Sequence, residues 1–143
     1  MSLYVLDASV AVKWFLPASD EPFASQARQM LQEWTDETVT LLVPDLFFAE
    51  VANVLLKAVR ARRCSLQEAE LSLARLEAAD IPSFSSLKLL EQAFAIATRH
   101  GRSLYDSLYV ALAAKSKAQL ITADERLVNA LAGHYSIRWL GAL

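Results

Sequence analysis

One cysteine, Cys64, in 143 residues leaves no partner for an internal disulfide and no thiolate cage for zinc. A reducing cytoplasm suits such a chain. The two histidines, His100 and His134, lack the spacing of a histidine metal pair and read as surface residues. Three glycines and four prolines leave no glycine-rich phosphate loop, low-complexity tract or linker. No apolar run reaches the ~18 residues of a membrane span. Met1-Ser2 leads into Leu3-Tyr4-Val5-Leu6 without a basic segment, so no secretory leader is expected. A net charge of −2 and a pI near 5.7 speak against a general basic nucleic-acid binder, although the distribution of charge matters more than its sum.

What the chain has in abundance is apolar residues, 55% of the total. Two readings stand side by side: surface reserved for a partner, or a helix-rich core with many alanines. The length suits a single domain over residues 1–143 that buries about 68–70% of its unfolded surface.

The apolar pattern alternates between two periods. Short strands are expected at Leu3–Leu6, Val39–Val43, Ile81–Phe84, Gln119–Thr122 and Ile137–Leu140. Helices are expected at Ala8–Phe15, stopped by Pro17, and across Glu21–Asp36. A long helix opens at Pro44-Asp45, with Asp45 as its N-cap, and runs to about Arg62. Ser65 and Glu68 form a capping box for a helix to about Ala79. Ser86–His100 is closed by Gly101; Leu104–Lys117 and Asp124–Leu131 follow. Strands separated by helices imply parallel pairing with right-handed crossovers. The expected fold is therefore a three-layer α/β/α sandwich around a mostly parallel five-stranded sheet.

Four acids border or interrupt apolar segments: Asp7, Glu50, Asp106 and Asp124. In an open parallel sheet the active crevice lies beyond the carboxyl ends of the strands, and all four can face it. Each also has a plain structural reading. Asp7 and Asp124 are acceptable N-caps, Asp106 suits the positive end of a helix, and Glu50 with Asn53 and Lys57 can form a polar stripe. Convergence of all four on one edge favours a carboxylate site for a hard cation, Mg²⁺ or Mn²⁺, that activates water and neutralises charge on a phosphate. Ser9 and Thr122 add hydroxyls that position a carboxylate, a water or a phosphate, or that simply cap. A phosphatase with an aspartyl nucleophile on its first strand would carry a second Asp where Ser9 stands. A phospho-receiver would need an acidic pair and a late strand lysine, and neither is visible.

The segments Leu3-Tyr4-Val5-Leu6-Asp7-Ala8-Ser9, Pro44 through Leu55, Tyr105 through Ala113 and Leu120 through Leu127 together resemble the four acidic segments of the PIN domain family, in order and across nearly the whole chain. The length is most similar to the VapC-type toxins of toxin–antitoxin pairs. That resemblance implies a PIN-like fold, a Mg²⁺-dependent endoribonuclease, Asp7, Glu50, Asp106 and Asp124 as catalytic and metal-binding residues, an RNA substrate and a cognate antitoxin. A homodimer is expected from the resemblance and from the apolar surplus. The rivals are a PIN-like module that binds RNA or protein without cutting, and a structure-specific DNA nuclease. Retention of all four acids speaks against the first; small size and the absence of a helical arch insert speak against the second.

Two basic groups remain. Lys57, Arg60, Arg62 and Arg63 sit at a helix end, where complementing the macrodipole is the favoured role. Arg99, His100 and Arg102 adjoin Asp106, which makes Arg99 and Arg102 the better candidates for substrate phosphate. Of the large apolar residues Tyr4, Trp14, Phe15, Phe47 and Phe48, most read as core, with an antitoxin groove as the alternative.

Overall fold

The computed structural model describes residues 1–143. Five strands form one sheet: β1 (Ser2–Leu6), β2 (Val39–Pro44), β3 (Ser83–Phe84), β4 (Gln119–Thr122) and β5 (Ile137–Trp139). Their order is β3-β2-β1-β4-β5, and every neighbouring pair is parallel. The helices are α1 (Ala8–Ala11), α2 (Ala24–Thr35), α3 (Leu46–Arg60), α4 (Leu66–Ala78), α5 (Leu90–His100), α6 (Leu104–Ser116) and α7 (Glu125–Leu131). No helix is long and apolar enough to cross a membrane.

The chain moves one way along the sheet from β1 to β3, then returns past β1 to β4 and β5. Right-handed crossovers place the helices of these two runs on opposite faces, which gives the three layers. The direction reverses between β1 and β4, so the crevice expected at a topological switch point opens at their carboxyl ends. Val5, Leu6, Leu120 and Ile121 are fully buried in those central strands.

α6 explains much of the apolar surplus. Ser107 through Ala113 are buried without interruption, and the helix packs on α5, β1, β2 and β4. A helix apolar on every side belongs inside. Alanines allow its close approach to the sheet, and they fill the positions that would otherwise be read as partner surface.

Several boundaries differ from the sequence reading. The first helix is α-helical only to Ala11 and continues as a 3₁₀ turn over Val12–Trp14. The second begins at Ala24, because Phe23 takes a left-handed conformation with φ of 60°. Asp45 is not a side-chain cap. Its backbone is already helical, and its carboxylate accepts from the Ser86 amide and hydroxyl across the β3–α5 connection. Ser86–Leu89 is accordingly a 3₁₀ turn that precedes α5. The Ser65–Glu68 capping box forms in both directions. Gly101 closes α5 with φ of 64°, the left-handed conformation that glycine adopts without a Cβ clash.

Candidate active site

Asp7 lies just past the last residue of β1, with its backbone N–H donating to Ile121 O of β4 at 3.0 Å. Its side chain is buried, and Oδ2 accepts from Ser9 Oγ at 2.6 Å and from Thr122 Oγ1 at 2.8 Å. Each hydroxyl also accepts a backbone amide from the turn between β4 and α7. Ala123 N–H donates to Ser9 Oγ at 3.0 Å, and Asp124 N–H donates to Thr122 Oγ1 at 3.1 Å. Both hydroxyls are thereby fixed as donors toward the same carboxylate oxygen. Oδ1 receives no hydrogen bond from the protein. Burial raises the Asp7 carboxyl above its ordinary range, the two hydroxyls oppose this, and repulsion from Asp106 and Asp124 adds to the rise.

Glu50 projects from the second turn of α3. Its Oε1 accepts from Tyr109 Oη of α6 at 2.8 Å. Burial raises its carboxyl, the Tyr109 hydroxyl opposes, and Asp7 and Asp106 raise it further. Asp106 stands in the first turn of α6, whose N-cap is Ser103; Ser103 Oγ accepts the Asp106 N–H at 3.0 Å. Its carboxyl is raised by burial and by Asp124, while Ser103 and Arg102 act in the other direction. Asp124 caps α7, its Oδ1 accepting the amides of Arg126 at 3.0 Å and Leu127 at 3.3 Å. The capping role considered for Asp124 is thus real. For Asp7 it is not, since no side-chain cap bond forms at α1.

The structure therefore brings Asp7 within electrostatic reach of Asp106 and Asp124, Glu50 within reach of Asp7 and Asp106, and Asp106 within reach of Asp124. As the side chains stand, no three meet at a common coordinating point. The donor set is nonetheless all carboxylate oxygen, with one Asp7 oxygen left free and three carboxyls held high partly by one another. That chemistry fits a hard, oxygen-seeking divalent cation, which relieves the repulsion, and fits zinc poorly.

Of the two arginines proposed for substrate, only Arg102 reaches the acids, with Nη2 3.9 Å from Asp106 Oδ2. Its Nε is buried without a partner. Arg99 is exposed and lines a separate cleft with Gln92, Ile96 and Tyr135. Arg63, assigned from sequence to the end of a helix, instead pairs with Glu21 at 3.0 Å and Asp20 at 3.8 Å. Buried Lys13 joins the same group through Glu21 at 3.5 Å. His134 is exposed and His100 half-buried, as surface residues; their rings lie 4.9 Å apart, and His100 Nε2 lies 3.2 Å from Tyr135 Oη. Trp14 and Phe47 are core, whereas Phe48 borders a surface cleft with Leu73, Leu76 and Ile81.

Sequence reasoning missed Tyr109. A signal was present: a buried tyrosine hydroxyl needs a partner, and this one lies one helical turn from Asp106, on the same face of α6.

Known proteins resemble this chain in sequence and in fold. The PIN domain family model matches residues 4–132. The chain is 37% identical over 131 residues to ribonuclease VapC3 of Pyrobaculum aerophilum, covering 87% of this chain and 92% of that protein. Among solved structures, PAE2754 from Pyrobaculum aerophilum is similar with a TM-score of 0.70 at 22% identity, covering 99% of this chain and 85% of its own. VapBC2 from Rickettsia felis, solved bound to a DNA fragment from its promoter, is similar with a TM-score of 0.64 at 12% identity, covering 96% and 98%. At these identities the structural likeness speaks for the fold. The sequence matches, of which the family model spans residues 4–132, speak for descent: this chain belongs to the PIN domain family.

Proposed function

We propose that this chain is a Mg²⁺-dependent endoribonuclease that hydrolyses RNA phosphodiester bonds and serves as the toxin of a toxin–antitoxin pair. The observation that carries the reading is the buried Asp7 carboxylate at the β1–β4 switch point, with Asp106 and Asp124 close enough to hold its proton affinity up. Identity of 37% to a protein named as a ribonuclease supports the substrate class.

Asp7, Glu50, Asp106 and Asp124 are the residues that would hold the ion, with Mn²⁺ able to replace Mg²⁺. Bound there, such an ion would activate water and neutralise charge on the phosphate. The protein's own contribution is orientation. Ser9 and Thr122 fix Asp7 Oδ2 and leave Oδ1 for the site. Arg102, beside Asp106 with an unpartnered Nε, offers a cation for a backbone phosphate of the RNA. No side chain is required as a covalent nucleophile.

The remaining parts of the reading are a cytoplasmic homodimer and an antitoxin that masks the crevice, with a basic side chain among the acids and apolar side chains alongside. Exposed Leu87, Leu90 and Phe94 supply apolar surface for assembly. Purified protein incubated with RNA and Mg²⁺, with and without EDTA, tests the nuclease. Cleavage that persists after rigorous chelation overturns the metal mechanism, and binding without cleavage returns the non-catalytic reading. Expression alone should arrest growth, and Asp7→Ala should not; harmless expression of the wild type ends the toxin role and leaves the nuclease standing.

A further inference from the structure

Tyr109 is the largest fully buried side chain in the protein, and its hydroxyl ends inside the acidic crevice. It lies among the buried residues of α6, so the ring is gripped on all sides and the position of its oxygen is set by the core. That oxygen donates to Glu50 Oε1 at 2.8 Å, joining α6 to α3. Glu50 itself is on a half-exposed turn and has no other hydrogen-bond partner in the protein. An unheld glutamate there has three rotatable bonds and two repelling neighbours, Asp7 and Asp106. One hydroxyl thus links the helix that carries Asp106 to the helix that carries Glu50.

We propose that Tyr109 is a positioning residue of this site: its rigidly packed hydroxyl holds Glu50 Oε1 against α6, the helix that carries Asp106, so that the carboxylate is already confined beside a neighbouring acid when a divalent cation binds. The proposal rests on the metal-dependent reading above. It assigns Tyr109 no contact with substrate and no proton transfer. Its work is done through Glu50, as groups hydrogen-bonded to metal ligands generally act, where loss typically weakens metal affinity or activity by about 10–100-fold.

The test is Mn²⁺ binding to the whole protein, followed by electron paramagnetic resonance without RNA. Tyr109→Phe keeps the ring in the core and removes only the hydroxyl. The expected result is a wild-type-like melting profile and Mn²⁺ affinity weaker by at least about tenfold. Glu50→Ala and the Glu50→Ala/Tyr109→Phe double variant complete a cycle. If Tyr109 acts through Glu50, its substitution has little further effect once Glu50 is gone. Wild-type affinity in Tyr109→Phe overturns the proposal and leaves the metal reading intact. An equal loss with and without Glu50 assigns Tyr109 a general packing role and also overturns it. A wild-type protein that binds no Mn²⁺ overturns both readings together.

Discussion

Thr122 Oγ1, at the end of β4, donates to Asp7 Oδ2, at the end of β1, across 115 residues of sequence at 2.8 Å. The same hydroxyl accepts the Asp124 amide, so one fully buried threonine links two of the four acids. Thr122→Val keeps the shape and removes both bonds. It should destabilise the protein by about 1–3 kcal/mol, the cost of stranding buried polar groups, as read from urea unfolding. An unchanged midpoint would show that water takes over both bonds.

Asp7→Asn and Asp106→Asn should lower cleavage at least about a hundredfold, since neutralising charge on the phosphate is worth several kcal/mol. In EDTA their melting temperatures should match or exceed the wild type, because each removes a repelling charge. A large drop would mark the acid as a structural element.

The acids also set a pH dependence. Asp7, Glu50 and Asp106 all hold their protons more tightly in the fold than at their ordinary values of 3.8, 4.5 and 3.8. Above those values the unfolded chain has released protons that the folded chain keeps, so this contribution to stability is complete below them and is lost as pH rises through the higher folded values. In EDTA, the wild type should therefore lose stability relative to Asp7→Asn as pH increases across that window. Melting curves of the two proteins at several pH values measure it. A gap that stays constant would mean that Asp7 titrates at the same pH folded and unfolded.

Asp124 caps α7 and is also proposed to hold the ion, and substitutions separate the two roles. Asp124→Ala removes both the α7 cap and the charge, and should cost about 1 kcal/mol of stability together with cleavage. Asp124→Asn retains a cap of similar quality, so it should melt near the wild type and still fail to cleave. Equal stability losses in the two variants would mean that the charge, not the cap, supports α7.

Ca²⁺ should support cleavage poorly where Mg²⁺ and Mn²⁺ support it well. The larger ion takes looser, higher-coordinate geometry. Comparable rates with Ca²⁺ would point to a site without strict demands on ligand placement.

Much of this site was legible because an acid next to a buried apolar run has few cheap explanations. Asp7 after Leu3–Leu6 and Asp124 after Gln119–Thr122 marked two strand ends, and strands alternating with helices placed those ends on one edge. Ser65–Glu68 and Gly101 were legible for a similar reason: local backbone chemistry fixes both. Asp45 misled because the helix begins in a backbone conformation that no longer needs its side chain, while Ser86, distant in sequence, offers a better partner. Arg99 and Arg102 are three residues apart, yet Arg99, in the last turn of α5, lines a separate cleft with Tyr135, while Arg102 follows the left-handed Gly101 and turns toward Asp106. Tyr109 stayed hidden because the sequence does not say that α3 and α6 bring Glu50 and this hydroxyl together at the site.

The pairing of β1 with β4 has a consequence for synthesis. As the chain leaves the ribosome, Asp7 emerges almost at once, while Thr122 and Asp124 follow more than a hundred residues later. Until then β1 lacks its neighbour on one side, Asp7 lacks one of its hydroxyl donors, and the fourth acid does not exist. Closing so long a loop in parallel is slow compared with forming a local helix. A nuclease built this way would be inert while tethered to the RNA-rich machine that makes it, and would become dangerous only after the last third of the domain has folded back onto the first strand. That interval is a window in which a partner could engage the chain before it is able to cut.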